Sequence, residues 1–79
     1  MDFEIVKYEL NKLLNYYKGT LELNRLDEID YIGMGRGEDT YVHMLRGQNF
    51  ILENAILSTS AVLNKLTYLD EKEKENVQD

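Results

Sequence analysis

The strongest constraint on the fold is a run of residues spaced alternately four and three apart in the second half of the chain. Most of its members are apolar, and the run is unbroken: Tyr41, Leu45, Gln48, Leu52, Ala55, Thr59, Val62, Leu66 and Leu69. Because an α-helix turns once every 3.6 residues, this spacing places them all on one side of a helix about 43 Å long. The sequence has no proline that would interrupt such a helix.

A second helical pattern occupies the first third of the chain. Residues at spacings of three and four form an apolar stripe: Phe3, Val6, Leu10, Leu13 and Tyr17. After Gly19 the apolar residues leave this register: Leu21, Leu23, Leu26 and Ile29. Glycine weakens a helix by about 1 kcal/mol relative to alanine, so the shift indicates either a kink or a break. We interpret the segment as one helix from about Asp2 to about Asp30, kinked near Gly19.

A glycine-rich segment separates the two patterns. Residues 32–37 contain three alternating glycines, which oppose both helix and strand. Asp39 or Thr40 can then cap a new helix by accepting hydrogen bonds from its first free amides. Two helices of similar length joined by a short loop predict an all-α antiparallel hairpin over residues 1–69.

The composition excludes several classes of protein. The formal net charge is -6, and residues 70–79 carry five acids against two lysines, so direct binding to nucleic acid is disfavoured. This charged segment has little apolar periodicity and is predicted to be a frayed helical end or a disordered acidic tail. No cysteine and a single histidine leave no disulfide, zinc site or expected cofactor. No apolar run of about 18 residues or secretory signal is visible, so we expect a cytoplasmic protein that does not span a membrane.

No set of catalytic residues stands out. The glycine run at residues 33–37 has neither the spacing of a dinucleotide-binding loop nor the lysine of a phosphate-binding loop. His43 has acidic neighbours, but no nucleophile and orienting group complete a catalytic arrangement. The sequence therefore predicts a protein that is not an enzyme.

The apolar pattern of the second helix is wider than one partner helix can cover. Met44, Ile51, Ile56 and Leu63 flank the stripe, and a further apolar line follows: Phe50, Leu57 and Ala61. This excess predicts a homodimer in which two hairpins form a four-helix assembly. The candidate interface residues are Tyr17, Leu45, Gln48, Phe50, Leu52, Leu57, Thr59, Val62 and Leu66.

Three polar or aromatic residues have a second interpretation. Gln48 and Thr59 interrupt the apolar stripe, where polar side chains either fix the register of paired helices or meet water at the edge. Tyr16 lies beside the stripe, and tyrosine is enriched at the energetic centres of protein interfaces. Tyr16 is therefore an additional candidate contact residue.

The order of features resembles one known family. A leucine-rich helix ends near Leu26-Asp27-Glu28-Ile29, a glycine loop and a second helix follow, and the string Leu69-Asp70-Glu71-Lys72-Glu73-Lys74-Glu75 comes next. This is similar to the N-terminal half of the ArpU/RinA-type transcriptional regulators of Gram-positive phages. The resemblance implies a helical region next to a helix-turn-helix. That element would follow Glu75, so no DNA-contacting residue can be carried over to this chain.

Two functions fit these observations. The first is a regulatory protein-interaction module, encoded by a phage or mobile element, that acts by binding a protein partner. The alternative is an acidic inhibitor that occupies a nucleic-acid-binding groove of a host or phage-defence protein by mimicking phosphate charge.

Overall fold

The computed structural model describes residues 2–77, which form two α-helices joined by a short loop. Helix α1 is Phe3–Gly33 and helix α2 is Thr40–Val77, with no strand in the described part of the chain. Lys7 near the start of α1 bonds Asp70 near the end of α2, so the helices are antiparallel. The molecule is 65 Å long and 15 Å in each other direction. The predicted all-α antiparallel hairpin is confirmed.

Each helix begins at an aspartate whose carboxylate binds free backbone amides. The Oδ1 of Asp2 accepts hydrogen bonds from the N–H groups of Glu4 and Ile5, at 3.1 and 3.4 Å. The Oδ1 of Asp39 accepts one from the N–H of Tyr41 at 2.9 Å. These bonds satisfy amides that have no partner within the first turn of a helix. Of the two residues predicted to cap α2, Asp39 is the cap, and Thr40 is the first helical residue.

The loop is held in a defined conformation by its own contacts. Gly35 adopts a φ of 74°, and its N–H bonds the carbonyl of Ile32 while the N–H of Arg36 bonds that of Tyr31. This pair of bonds is the Schellman ending of a helix, which needs glycine at the left-handed position. The guanidinium of Arg36 also lies 4.7 Å from the centre of the Tyr31 ring and pairs with Asp39 at 2.6 Å. The loop thus links the two helix ends directly.

Two series of buried and half-buried residues form the seam, the contact between α1 and α2. The members in α1 are Phe3, Lys7, Leu10, Leu14, Tyr17, Leu21, Asn24, Glu28 and Tyr31. The members in α2 are Val42, Leu45, Asn49, Leu52, Ile56, Thr59, Leu63, Leu66 and Asp70. Both series keep the alternation of three and four residues from end to end, as paired helices require. The most deeply buried apolar side chains are Leu14, Leu21, Val42 and Leu45.

The structure corrects the predicted stripe of α1. The seam uses Leu14 where the sequence predicts Leu13, and its register continues through Gly19 without a shift. The helix is unbroken at this glycine. The apparent shift arises because Asn24 and Glu28 are polar members of the seam, so the apolar residues around them look out of register.

The predicted stripe of α2 has the right period but is rotated. Every second residue of the predicted stripe belongs to the seam, namely Leu45, Leu52, Thr59 and Leu66. Gln48 and Val62 are exposed, and the seam uses the residue that follows each of them, Asn49 and Leu63. Hydrophobicity does not separate the two stripes at these positions, because Gln48 and Asn49 are both polar and Val62 and Leu63 are both apolar.

The predicted acidic tail begins as part of α2. The helix continues past Leu69 to Val77, and Asp70 is only 8% exposed because it packs against Lys7. Residues 71–77 extend beyond the start of α1 as an overhang of about two turns. The last two residues of the predicted tail, 78 and 79, lie outside the described range.

The seam predicts unequal effects for two leucines of α2. Leu45 is 2% exposed and Leu57 is 69% exposed. Replacement of Leu45 by alanine should therefore lower the free energy of unfolding by about 2 to 5 kcal/mol, since it leaves a cavity. Leu57→Ala should change it by less than about 0.5 kcal/mol. Urea denaturation of both variants checks this, and equal losses would mean that the seam is misplaced.

Candidate interaction surface

The rotation of the seam gives the hairpin two chemically different faces. In both helices, the residues immediately before seam positions lie on one side of the hairpin, and those immediately after lie on the other, because the helices are antiparallel. Tyr16 and Thr20 of α1 accordingly line a shallow depression of about 200 Å³ together with Gln48 and Ile51 of α2. On the opposite side Arg25 of α1 pairs with Glu53 of α2. The two sides can therefore be compared residue by residue.

The side that precedes the seam is called the apolar face. Its members are Leu13, Tyr16, Thr20 and Leu23 of α1 together with Met44, Gln48, Ile51, Ala55, Ser58 and Val62 of α2. Tyr16, Leu23 and Ile51 are each 67% exposed. None of these ten residues carries a charge. The face therefore presents large apolar side chains to solvent over about 27 Å of the rod, since Met44 and Val62 lie eighteen residues apart in α2.

Charged residues border this face at its ends. Glu9, Asp27 and Lys65 also directly precede seam residues. Glu9 and Lys65 lie towards the end that holds the start of α1, and Asp27 lies towards the loop. The Oδ2 of Asp27 accepts a hydrogen bond from the hydroxyl of Tyr41 at 2.7 Å. An apolar centre with polar ends is the usual organisation of a protein interface.

The opposite side, called the polar face, is occupied by ion pairs between the helices. Arg25 bonds Glu53 at 2.8 Å and Arg46 bonds Glu28 at 2.9 Å. A recess of about 460 Å³ on this side has a mixed lining: Glu4, Lys7, Tyr8, Asn11, Leu63, Asn64 and Thr67. This face also exposes large apolar side chains, but they lie among charged and polar neighbours: Tyr8, Ile29, Ile32, Phe50 and Leu57.

The predicted interface residues fall on three surfaces. Five lie in the seam inside the hairpin, namely Tyr17, Leu45, Leu52, Thr59 and Leu66. Gln48 and Val62 lie on the apolar face, whereas Phe50 and Leu57 are exposed on the polar face. Gln48 also accepts a hydrogen bond from the amide of Asn24 at 3.2 Å.

The residues that make the apolar face are not grouped by the sequence pattern. Hydrophobic periodicity assigns Leu13 to the seam of α1 and makes Leu23 part of an apparent register shift. The signal that groups them is their common position, one residue before the seam. This common position can be recognised only when polar residues such as Asn24 and Asn49 are assigned to the seam.

An ionic cluster closes the seam at the end opposite the loop. The Nζ of Lys7 lies 3.0 Å from Asp70 and 3.1 Å from Glu4, and Lys74 lies 3.3 Å from Asp70. The hydrogen bond from Lys7, together with that from Lys74, holds the pKa of Asp70 below its usual value. The bond to Asp70 in turn raises the pKa of Lys7, with a further contribution from Glu4. The cluster joins the first turns of α1 to the last turns of α2.

Other groups on the molecule have simpler roles. The imidazole Nε2 of His43 faces Glu38 at 3.5 Å, and both side chains are largely exposed. Among residues 2–77, no group of three histidine, cysteine or acidic side chains is placed to hold a metal ion. Neither described helix has a stretch both long and apolar enough to cross a membrane.

Comparisons of the chain with protein-family models, with curated proteins and with solved structures find no match. The apolar face is accordingly interpreted from its own chemistry.

The Lys7–Asp70 pair predicts how stability depends on pH. A carboxylate with a lowered pKa stabilises the fold above the usual carboxyl pKa of about 4, and this stabilisation is lost as the pH falls through the lowered value. Asp70→Asn should therefore weaken the fall of the melting temperature on acidification. Thermal melts from neutral to strongly acidic pH measure this.

Glu71 provides the matched control, because it is the next residue in α2 and its side chain is exposed. Glu71→Gln should leave the acid dependence close to that of the parent chain. The assignment fails if Asp70→Asn and the parent lose stability in parallel over the whole acidic range.

Proposed function

We propose that this chain is a protein-interaction module that binds another polypeptide through its apolar face. The observation that carries the proposal is the uncharged stretch from Leu13 to Leu23 on α1 and from Met44 to Val62 on α2 along one side of the rod. Contiguous exposed apolar surface of this extent is rare on proteins that act alone and is typical of protein-binding surfaces.

The composition of the face supports a specific contact. Tyr16 lies beside the depression formed with Ile51, in the central part of the face. Tyrosine contributes large contact area at low conformational cost and is frequent at the energetic centres of interfaces. Thr20 and Gln48 supply polar groups in the same region, which can orient a bound polypeptide.

The role that we assign to such a module is regulatory. The order of helix, glycine loop, helix and acidic-basic string resembles the helical region of the ArpU/RinA-type phage regulators. That region is distinct from the family's DNA-reading element. On this proposal the chain acts on a protein and not on DNA, and the acidic net charge of -6 is consistent with that choice.

The charge arrangement gives less support to mimicry of nucleic acid. A mimic needs carboxylates that are free to replace phosphates in a basic groove. Several acids here are already neutralised by arginines, as in the pairs Arg25–Glu53, Arg46–Glu28 and Arg36–Asp39. Interaction through the apolar face is therefore the function that we favour.

A site-specific cross-linker tests this proposal even though the partner is not identified. A photoreactive phenylalanine analogue is introduced at Ile51 on the apolar face and, as the matched control, at Leu57 on the polar face. The two side chains belong to the same helix and are 67% and 69% exposed. In cells that naturally produce the protein, irradiation should give protein adducts mainly from position 51. Equal yields from the two positions would refute the assignment of the face.

A further inference from the structure

We propose that the apolar face is covered by a second copy of this chain, so that two hairpins pack face to face as a four-helix bundle. This inference rests on the proposed function, because it names the polypeptide that the face binds. Three properties of the molecule support it: the surface area of the chain, the shape of the face and the charges at its ends.

A single chain leaves more surface exposed than a compact protein of its mass. The accessible surface is 5961 Å² for a mass of 9.3 kDa. A compact folded monomer of this mass would expose about 5,000 Å². The excess is therefore about 1,000 Å², and a stable complex of ordinary size buries about 800 Å² on each partner. One face-to-face contact of ordinary size with a second copy would therefore remove most of the excess.

The shape of the face matches a second hairpin better than a single helix. The face is formed by both helices side by side, so it is about as wide as the molecule, 15 Å. A single partner helix, about 10 Å across, would fill the depression near Tyr16 and Ile51 but leave the outer side chains in water. A second hairpin presents an identical face of the same width. It covers the inner residues and also the outer ones, such as Leu23 and Met44.

The charged residues at the ends of the face are compatible with a second copy. Among the described residues that directly precede the seam, Lys65 is the single cation, and the acids are Asp2 and Glu9 at one end and Asp27 and Asp30 at the other. A twofold axis that puts both loops at one end brings Lys65 of each copy towards Glu9 of the other. An axis that puts the loops at opposite ends brings Lys65 towards the pair formed by Tyr41 and Asp27. The second arrangement also brings Glu9 of each copy towards Asp27 and Asp30 of the other, so the charges favour the first arrangement, in which Lys65 meets Glu9.

Sedimentation equilibrium of the purified full chain tests the proposal. The expected mass is about twice 9.3 kDa throughout the micromolar range. Because folding and association are then coupled, the melting temperature should rise with protein concentration. A single-chain mass at every concentration, together with a melting temperature that does not depend on concentration, would overturn the inference.

Matched substitutions locate the contact. Ile51→Glu places a charge in the centre of the apolar face and should raise the dissociation constant of the dimer by more than about thirtyfold. Leu57→Glu introduces the same change at equal exposure on the polar face and should leave the dimer intact. Tyr16→Glu and Tyr8→Glu form a second pair of this kind on α1. Equal effects within each pair would contradict the assignment of the face.

Two further measurements keep the test decisive. If Ile51→Glu unfolds, the milder Ile51→Ala should still weaken the dimer more than Leu57→Ala, as measured by sedimentation. If the chain is a monomer but the cross-linker at position 51 joins it to a different protein, the self-association inference is wrong and the proposed function stands. If position 51 gives no preferential adduct and the chain is a monomer, both proposals are wrong.

Discussion

The packing of α1 against α2 along the seam determines every other feature of the hairpin. Leu14, Leu21, Val42 and Leu45 are the apolar side chains that this contact buries most deeply, and they fix the rotation of each helix about its own axis. The residues before the seam then form the apolar face, and those after it form the polar face. A rotation of either helix by one residue would mix the two chemistries. The functional surface is thus a direct consequence of which side chains are buried.

Polar residues in the seam give up some stability and fix its register. Within the described residues, the Oδ1 of buried Asn49 accepts no hydrogen bond, which costs about 1 to 3 kcal/mol. Asp70 is equally buried, but Lys7 neutralises it at 3.0 Å. Sliding one helix past the other would separate this pair and leave a nearly buried carboxylate without its lysine. The antiparallel register is therefore specified more by these ionic and polar groups than by the leucines, which can exchange neighbours at low cost.

The sequence predicts the secondary structure well and the faces poorly. Helical spacing, alternating glycines and Asp39 locate both helices and the loop because those signals are local. The predicted change of register after Gly19 and the placement of Val62 in the contact between the helices are wrong, because hydrophobicity alone decides between adjacent stripes of the same period. Gln48 is exposed, in agreement with its interpretation as an edge residue. In α2 the predicted stripe and the seam share every second residue, and at the other positions each contains a polar side chain among apolar ones, such as Gln48 in the stripe and Asn49 in the seam. Whether a polar side chain is tolerated in the seam depends on its partner across the hairpin, and a single sequence does not contain that pairing.

Because the hairpin is a rod, its rotational diffusion depends on its shape as well as on its mass. A molecule 65 Å long and 15 Å wide tumbles end over end at a rate set mainly by its length, while rotation about its long axis depends on its thickness. A partner that packs along the side adds about 10 Å to the thickness, the usual distance between packed helices, and adds little length. Doubling the mass in this way slows axial rotation strongly and end-over-end tumbling only slightly. The anisotropy of rotational diffusion should therefore fall on association, the reverse of what end-to-end growth would produce.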